Sequence, residues 1–313
     1  MRNSKWIAGI ILLVCILGAP LFAADFPERP INLMVGYSTG GIGDLQVRAI
    51  AAAAEPFLGQ PVVVINKPGA VGTVMMSSLK NAKPDGYTLG INPGSLTITP
   101  YFQPVPYDIK DFTYLVGLST FLESLNVRED SPWKTVKELT DYARGNPGKV
   151  RIGASATFAS ITVLVQSLFE HAGVKYIPVP FTGEGDVITA LLGGHIEAAG
   201  LIGANLPYVR SKKLRMLAVG TTERLQEFPD VPTVKELGVD FVAMSHVGVV
   251  GPKGLPEPVT KKLEDAFKKA REHKSFIDFM KKVGLFPRYE IGKEFENRIE
   301  ENYIKLGKAF KKK

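Results

Sequence analysis

Apolar positions along the chain come in short blocks that switch between two periods. Ile31 to Val35 is a compact, mostly apolar block of strand length. From Asp44 the spacing becomes helical: Val47, Ile50, Ala51, Ala54, Phe57 and Leu58 share one face, and Pro56 kinks or ends the helix early. Pro61 to Ile65 and Tyr87 to Ile91 read as two further strands. Ser131-Pro132-Trp133 reads as a helix start, with Ser131 as N-cap and Pro132 at the first helical position. Gly145-Asn146-Pro147-Gly148 ends that helix. The series then restarts. Lys149 to Gly153 is a strand, and Ile161, Leu164, Val165 and Leu168 line a helix. Tyr176 to Pro180 is a strand, Val187 to Leu192 a short helix, and Ile196 to Leu201 a strand again. A last strand is expected at Val247 to Val250. Beyond the breaks at Gly251-Pro252 and Gly254-Leu255-Pro256 the chain reads as helical to Phe310, interrupted at Gly284 and Pro287. This alternation predicts an α/β fold with largely parallel sheets, and the restart near residue 125 predicts two similar lobes.

The N-terminus departs from this pattern. Arg2 and Lys5 precede an apolar run from Trp6 to Leu17, followed by Gly18, Ala19, Pro20 and Ala23-Ala24. That order reads as a secretory signal peptide over residues 1–24, although Leu21 or Phe22 takes a position where a small residue is usual. The run is shorter than the about 20 apolar residues of a membrane span. Cys15, the only cysteine, lies inside it. The mature chain then has no disulfide, thiolate nucleophile or cysteine metal site.

The chain has 313 residues and 45% hydrophobic content, enough for one large or two medium domains. Its net charge of +7 raises the question of nucleic acid. The lysines concentrate late, at Lys261-Lys262, Lys268-Lys269 and Lys281-Lys282, beside Glu264, Asp265 and Glu272. That is a solvated helix face, and no nucleic-acid partner is expected. None of His171, His195, His246 and His273 pairs at metal-ligand spacing, so no metal and no cofactor are expected.

The richest segment is Gly36-Tyr37-Ser38-Thr39-Gly40-Gly41-Ile42-Gly43-Asp44, which joins a strand to a helix. Its glycines let the backbone approach a ligand, and the free N–H groups of the helix start favour an anion without any basic side chain. The same residues also suit a tight turn that binds nothing. A dinucleotide fingerprint fails because Gln46 stands where the third glycine belongs, and a P-loop fails for lack of Gly-Lys-Ser/Thr. Gly36-Tyr37-Ser38-Thr39-Gly40 does match the G-x-S-x-G nucleophile elbow, which leaves a serine hydrolase using Ser38 as the rival reading. That fold needs several strands before the elbow, and few residues precede Ser38 in the mature chain.

Two later segments repeat the theme of strand, polar loop and helix. They are Gly153 to Ser160, with Ser155, Ala156, Thr157 and Ser160, and Phe181 to Asp186, with Gly183, Gly185 and Asp186. Each can offer amides and hydroxyls to an anion, or merely cap a helix. Glu184 and Asp186 are more readily caps than acid or base groups. Three such turns favour a shared cleft, because ligands of α/β sheets sit beyond the carboxyl ends of strands. His246, just before an expected strand, is placed to face that cleft.

These residues resemble a known family, the tripartite tricarboxylate transporter receptors, also called Bug or TctC-like solute-binding proteins. The likeness rests on Phe26-Pro27-Glu28-Arg29-Pro30-Ile31, the Gly40-Gly41-Ile42-Gly43-Asp44 turn, and Pro61-Val62-Val63-Val64 with Asn66-Lys67-Pro68-Gly69-Ala70. It continues through Pro84-Asp85-Gly86-Tyr87-Thr88-Leu89, Tyr107-Asp108 with Lys110-Asp111-Phe112, Leu191-Leu192-Gly193-Gly194 and Pro229-Asp230-Val231-Pro232-Thr233. The resemblance implies a two-lobed periplasmic binding fold of type II that closes over its ligand. It implies a small carboxylate ligand, a di- or tricarboxylate or related organic acid, delivered to membrane permease subunits by a monomeric, non-enzymatic receptor in the periplasm. Tyr37, Ser38, Thr39, Gly40, Gly41 and Asp44 match the first-lobe turn, Ser95 a hydroxyl position after the third strand, and Ser155, Ser160 and Gly183 to Asp186 the second-lobe loops. Thr162-Val163 and Leu96 stand where the family often carries histidine, and His246 where it often has tryptophan. These departures bear on ligand identity. Lobe one is expected over 25–124 and 241–313, and lobe two over 125–240.

Overall fold

The computed structural model describes residues 26–155, 160–221, 223–239 and 246–310. The expected export segment, Ala156, Thr157 and the side chain of Ser155 lie outside the described residues. So does the expected lobe boundary at residues 240 and 241.

Two sheets organise the chain. The first has β1 (Ile31–Val35), β2 (Val62–Asn66), β3 (Thr88–Asn92), β4 (Phe112–Thr120), β10 (His246–Pro252) and β11 (Phe286–Pro287), in the order β11-β4-β10-β3-β1-β2. The second has β5 (Ser124–Arg128), β6 (Arg151–Ser155), β7 (Ile177–Phe181), β8 (Ala198–Leu201) and β9 (Leu214–Val219), in the order β7-β6-β8-β5-β9. The strands β2, β1 and β3 run parallel, as do β7, β6 and β8. The rest of each sheet is antiparallel: β10 enters between β3 and β4 against both, and β5 pairs antiparallel with β8 and β9. The sheets are therefore mixed rather than largely parallel. The cause is topological, since β10 arrives only after the whole second sheet is complete.

Helices cover both faces of each sheet. Helix α1 (Ile42–Leu58) packs with α7 (Glu257–Glu272) and α8 (Lys274–Val283) around Leu33, Ile50, Leu89, Val249 and Phe267, all fully buried. On the opposite face α2 (Thr73–Lys80) and α9 (Lys293–Phe310) meet around Met75, Met76, Leu79 and Phe295. In the second sheet α3 (Val136–Gly145) and α4 (Ser160–His171) cover one face around Leu139, Leu164 and Phe169. Helices α5 (Glu184–Leu192) and α6 (Leu206–Arg210) cover the other, around Val187 and Leu191. Each lobe thus has its own core, as a two-lobed fold requires.

Several local features follow directly from residue type. Helix α1 carries Pro56 inside it and still runs to Leu58, where Gly59 adopts the left-handed conformation at φ 70° and closes the helix. Helix α3 starts at Val136 rather than at Ser131. Thr135 and Glu138 form a capping box, in which the Thr135 hydroxyl accepts the Glu138 N–H and the Glu138 carboxylate accepts the Thr135 N–H. That reciprocal pair satisfies two helix-end donors and outcompetes the Ser-Pro start, whose Ser131 hydroxyl instead donates to the Trp133 carbonyl.

The chain crosses between sheets twice, at residues 121–123 and again after Val219. The two crossings lie side by side, joined by the Gly220 N–H donating to the Glu123 carbonyl at 2.8 Å. Near them Gly284, at the end of α8, faces Leu206 at the start of α6 so closely that a Cβ would sit 2.1 Å from the leucine side chain. Phe286 packs into the second-lobe cluster of Leu122, Leu206, Met216, Val219 and Leu225. This seam holds the lobes together beside the crossings.

Candidate functional site

The carboxyl ends of β1, β3, β7 and β8 all open on one cleft of about 600 Å³ between the lobes. From the first lobe it is lined by Tyr37, Ser38, Gly40, Gly41, Ile42 and Gly43 after β1, by Val71, and by Gly94 and Ser95 after β3. Phe121 comes from the first crossing. The second lobe adds Ser160 at the start of α4, Thr182 to Gly185 after β7, and Ile202 and Ala204 after β8. A cavity of about 660 Å³ runs along the seam, bordered by Leu206, Phe228 and Phe286. It is the larger of the two, and two of the arginines that border it are paired within the protein. Arg210 meets Glu227 at 2.6 Å and Arg224 meets Glu236 at 2.9 Å. The strand ends and open helix starts converge only on the first.

The turn after β1 is built from behind by Asp44. Its carboxylate accepts the Gly40 N–H at 2.9 Å, two bonds from Arg48 at 3.0 Å each, and the Asn66 amide at 2.7 Å. Burial pushes the Asp44 carboxyl up, but these donors outweigh it and hold the group below the usual carboxylate range. Asp44 is 1% exposed and does not line the cleft. Gly40 sits at φ 87°, the left-handed region that glycine adopts without strain. Tyr37 closes the turn from the front. Its ring lies where a Cβ on Gly43 would come within 2.4 Å, and its hydroxyl accepts the Gly94 N–H. Burial pushes the Tyr37 phenol up to about 12, so it stays neutral.

Gly41 is the N-cap of α1 and Gly183 the N-cap of α5, and neither position carries a side-chain cap. The first N–H groups of both helices therefore lack an intrahelical partner, and they face one cleft from opposite lobes. Such ends carry partial positive charge and bind anions. Among the described residues that line it there is no lysine, arginine or histidine. Their ionisable side chains are Tyr37 and Glu184 alone.

Of the residues singled out from the sequence, Tyr37, Ser38, Gly40, Gly41, Ser95, Ser160, Gly183 and Gly185 line the cleft. Ser95 donates its hydroxyl to the Val71 carbonyl at 2.6 Å, and Ser160 donates to the fully buried Glu123 carboxylate. Thr39 is exposed beside the lining. Asp186 turns aside to accept the Thr182 hydroxyl at 3.0 Å. His246 opens β10 inside the first sheet, is 4% exposed, and lies near the Asn302 amide at 3.4 Å rather than along the cleft.

Sequence reasoning passed over Val71, Gly94, Phe121, Ile202 and Ala204. Val71 and Ala70 hold positive φ of 56° and 44°, which is unusual for residues with a Cβ and strained for a β-branched one. Glycines on both sides, Gly69 and Gly72, mark that turn in the sequence and were the available signal. Ile202 and Ala204 carry no such mark, since only tertiary packing brings them to the cleft.

Ser38 has no base beside it in this lining, which contains no imidazole. No helix among the described residues is long and apolar enough to cross a membrane.

Comparison with known proteins agrees with this geometry. Residues 46–313 match the sequence family described as Tripartite tricarboxylate transporter family receptor. A UPF0065 protein in the gbd 5′ region of Cupriavidus necator is 36% identical over 308 residues, covering 96% of this chain and 94% of the relative. Protein BugT of Bordetella pertussis is 30% identical over 296 residues, covering 92% and 90%. A TctC solute-binding protein from Polaromonas superposes with TM-score 0.79 at 30% identity, covering 92% of this chain and all of that one. An R. palustris protein with adipate gives TM-score 0.81 at 25% identity, covering 92% and 98%. MatC from Rhodopseudomonas palustris with bound malate gives 0.76 at 25% identity, covering 91% and 100%. The matching family is one of receptors, the Polaromonas neighbour is a solute-binding protein, and neither supports a nucleophilic role for Ser38. The chain belongs to the tripartite tricarboxylate transporter receptor family and has its two-lobed α/β fold.

Proposed function

We propose that the protein is an extracytoplasmic receptor that captures a small carboxylate in the inter-lobe cleft and closes over it. The observation that carries this reading is the pair of uncapped helix N-termini, at Gly41 and Gly183, facing one cleft with no basic side chain among the described residues that line it. An anion entering such a site must be held by backbone amides and hydroxyls. Malate in one structural neighbour and adipate in another give the chemical class.

In this reading the amides of Gly41 to Gly43 take one carboxylate. Ser38 offers a hydroxyl, Ser95 and Ser160 shape the wall and can accept from a ligand hydroxyl because their own protons go to Val71 and Glu123, and Gly183 and Gly185 keep the second wall open to approach. Asp44 fixes the turn rather than touching ligand, Thr39 borders its entrance, and Asp186 orders the second-lobe loop. Ser155, which ends β6, and Ala156 and Thr157, which follow it in sequence, are offered as further second-lobe contacts. His246 acts from inside the first sheet, through Asn92 and Asn302, on the floor beneath the cleft. The lobes divide near residues 121–124 and again between Val219 and His246, and the adjacent crossings form the hinge. Closure is driven by the contacts the ligand makes to both lobes, which the open state lacks. The receptor works as a monomer, is exported through residues 1–24, and hands its ligand to the permease subunits of a tripartite transporter.

The test is calorimetric titration of the purified protein with malate, succinate, adipate and citrate, with mass spectrometry of any small molecule that copurifies. Binding of at least one acid in the micromolar range or tighter is expected. A protein that binds none of them, and copurifies with no organic acid, would refute the reading.

A further inference from the structure

The cleft wall contributed by the second lobe holds an acid of its own. Glu184, the first residue of α5, directs its carboxyl group onto three consecutive backbone N–H groups, those of Ile202, Gly203 and Ala204. The Ile202 N–H donates at 2.5 Å. Gly203 sits at φ 129°, which allows the loop after β8 to turn these amides the same way. Successive amides aimed at one point form an anion-binding concavity. Here the occupant is part of the chain. Glu184, Ile202 and Ala204 all line the cleft, so this filled cradle faces the ligand.

We propose that Glu184 determines specificity at the far end of the ligand. By filling this cradle it directs the receptor to acids with one carboxylate, at the first-lobe turn, and an uncharged hydrogen-bonding group at the other end. A second carboxylate is accepted only together with a proton. This rests on the carboxylate reading above and narrows it.

Among the described residues no cation pairs with Glu184. Helix α5 packs against β5, β6, β7 and β8. The charged side chains on those strands are Arg128 and Arg151, at the ends remote from the cleft, and they pair with Asp130 and Glu197. On α5 itself Asp186 accepts the Thr182 hydroxyl. Glu123, at the crossing, takes the Ser160 hydroxyl, and Tyr37 faces from the first lobe as a neutral phenol. With no cation to match it, burial dominates and pushes the Glu184 carboxyl up to about 7, against the pull of its three amide donors. The group therefore changes charge near neutral pH. Ionised, it repels a carboxylate placed opposite and accepts a hydroxyl or amide donor. Protonated, it can itself donate to that carboxylate.

The experiment compares two chain-matched pairs by titration calorimetry: adipate with 6-hydroxyhexanoate, and succinate with 4-hydroxybutyrate. At pH 8 the hydroxy acid of the better-fitting pair is expected to bind at least tenfold more tightly than its dicarboxylate. Dicarboxylate affinity should rise about tenfold between pH 8 and pH 6, with uptake of about one proton measured in buffers of different ionisation enthalpy. Glu184→Gln keeps an oxygen in the cradle and removes the charge. It should abolish that pH dependence and raise dicarboxylate affinity at pH 8 at least tenfold. Wild-type protein that binds these acids with no proton uptake and no preference within a pair would overturn the inference while leaving the carboxylate reading intact. Protein that binds neither pair at either pH, in wild type or variant, would overturn both.

Discussion

Gly41→Val is the sharpest perturbation of the first-lobe turn, because the structure separates it from its neighbours. Gly40 has φ 87°, so a side chain there strains the backbone whether or not a ligand binds. A Cβ at Gly43 would lie 2.4 Å from the Tyr37 ring and displace it. Gly41 has φ −73°, which valine adopts freely, and its nearest neighbour to an added Cβ is the Ser38 carbonyl at 3.7 Å. The folded state therefore tolerates the change. Its intrinsic cost is the loss of a preferred N-cap residue, about 1 kcal/mol. The cost to binding is larger, because the new methyl groups stand over the amides of Ile42 and Gly43. A carboxylate that occupies the cleft, at about a hundred times its dissociation constant, would stabilise the wild type by about 2.7 kcal/mol. For a chain of this length that is a melting shift of about 5 °C. The variant should melt about 2 °C lower without ligand and show no shift with it. Thermal melts followed by circular dichroism read both values, and calorimetric titration reads the affinity directly. A folded Gly41→Val protein with wild-type affinity would refute the claim that these amides hold the carboxylate.

Other expectations follow from the same structure. Asp44→Ala removes the acceptor shared by Gly40, Arg48 and Asn66; it should cost about 1–3 kcal/mol in urea unfolding and weaken binding, with little from the ion pair because Arg48 is half exposed. Because the Asp44 carboxyl is held low, its contribution is present above the unfolded pKa and fades as pH falls through the folded one. Glu184 has the opposite sign: raised from 4.5 to about 7, it favours folding at low pH and costs stability as pH rises through 7. Glu184→Gln should therefore gain on wild type by up to about 3 kcal/mol between pH 4 and pH 8, and a constant difference across that range would refute the assignment. Arg271 is 4% exposed and donates to the carbonyls of Gly117, Tyr289 and Glu290 at 2.6 to 3.0 Å, tying α7 to the first sheet. Arg271→Ala strands those carbonyls and should cost about 3 kcal/mol or more in urea unfolding; a loss below about 1 kcal/mol would show that water replaces the guanidinium.

The parts of the fold written in local chemistry were legible in the sequence. Strand β1, the glycine turn and α1 follow from residue spacing, and the α/β alternation from period changes. The order of the sheets was not, because nothing near His246 says that β10 will enter between β3 and β4. The start of α3 was misplaced because a Ser-Pro pair was weighed and the stronger Thr135–Glu138 box was not. In the cleft, glycines and hydroxyls gave the first-lobe turn and Gly183. Glu184 looked like an ordinary cap, since the amides that hold it belong to residues 18 positions away. His246 looked like a cleft residue because it precedes a strand, and only the pairing of β10 shows it enclosed, with Thr120 beside it.

The cleft's lack of lysine, arginine and histidine has a consequence for how a solute is found and kept. An ammonium or guanidinium projects a field over a Debye length, about 10 Å at 0.1 M salt, and its pull weakens as ionic strength rises. Helix-end amides act within about a turn of the helix, at contact distance. The lysines and arginines of the described residues lie outside this lining. The site itself thus adds little long-range pull, and retention depends on geometry at contact. Retention by amides at contact is less sensitive to the surrounding salt than retention by a free cation.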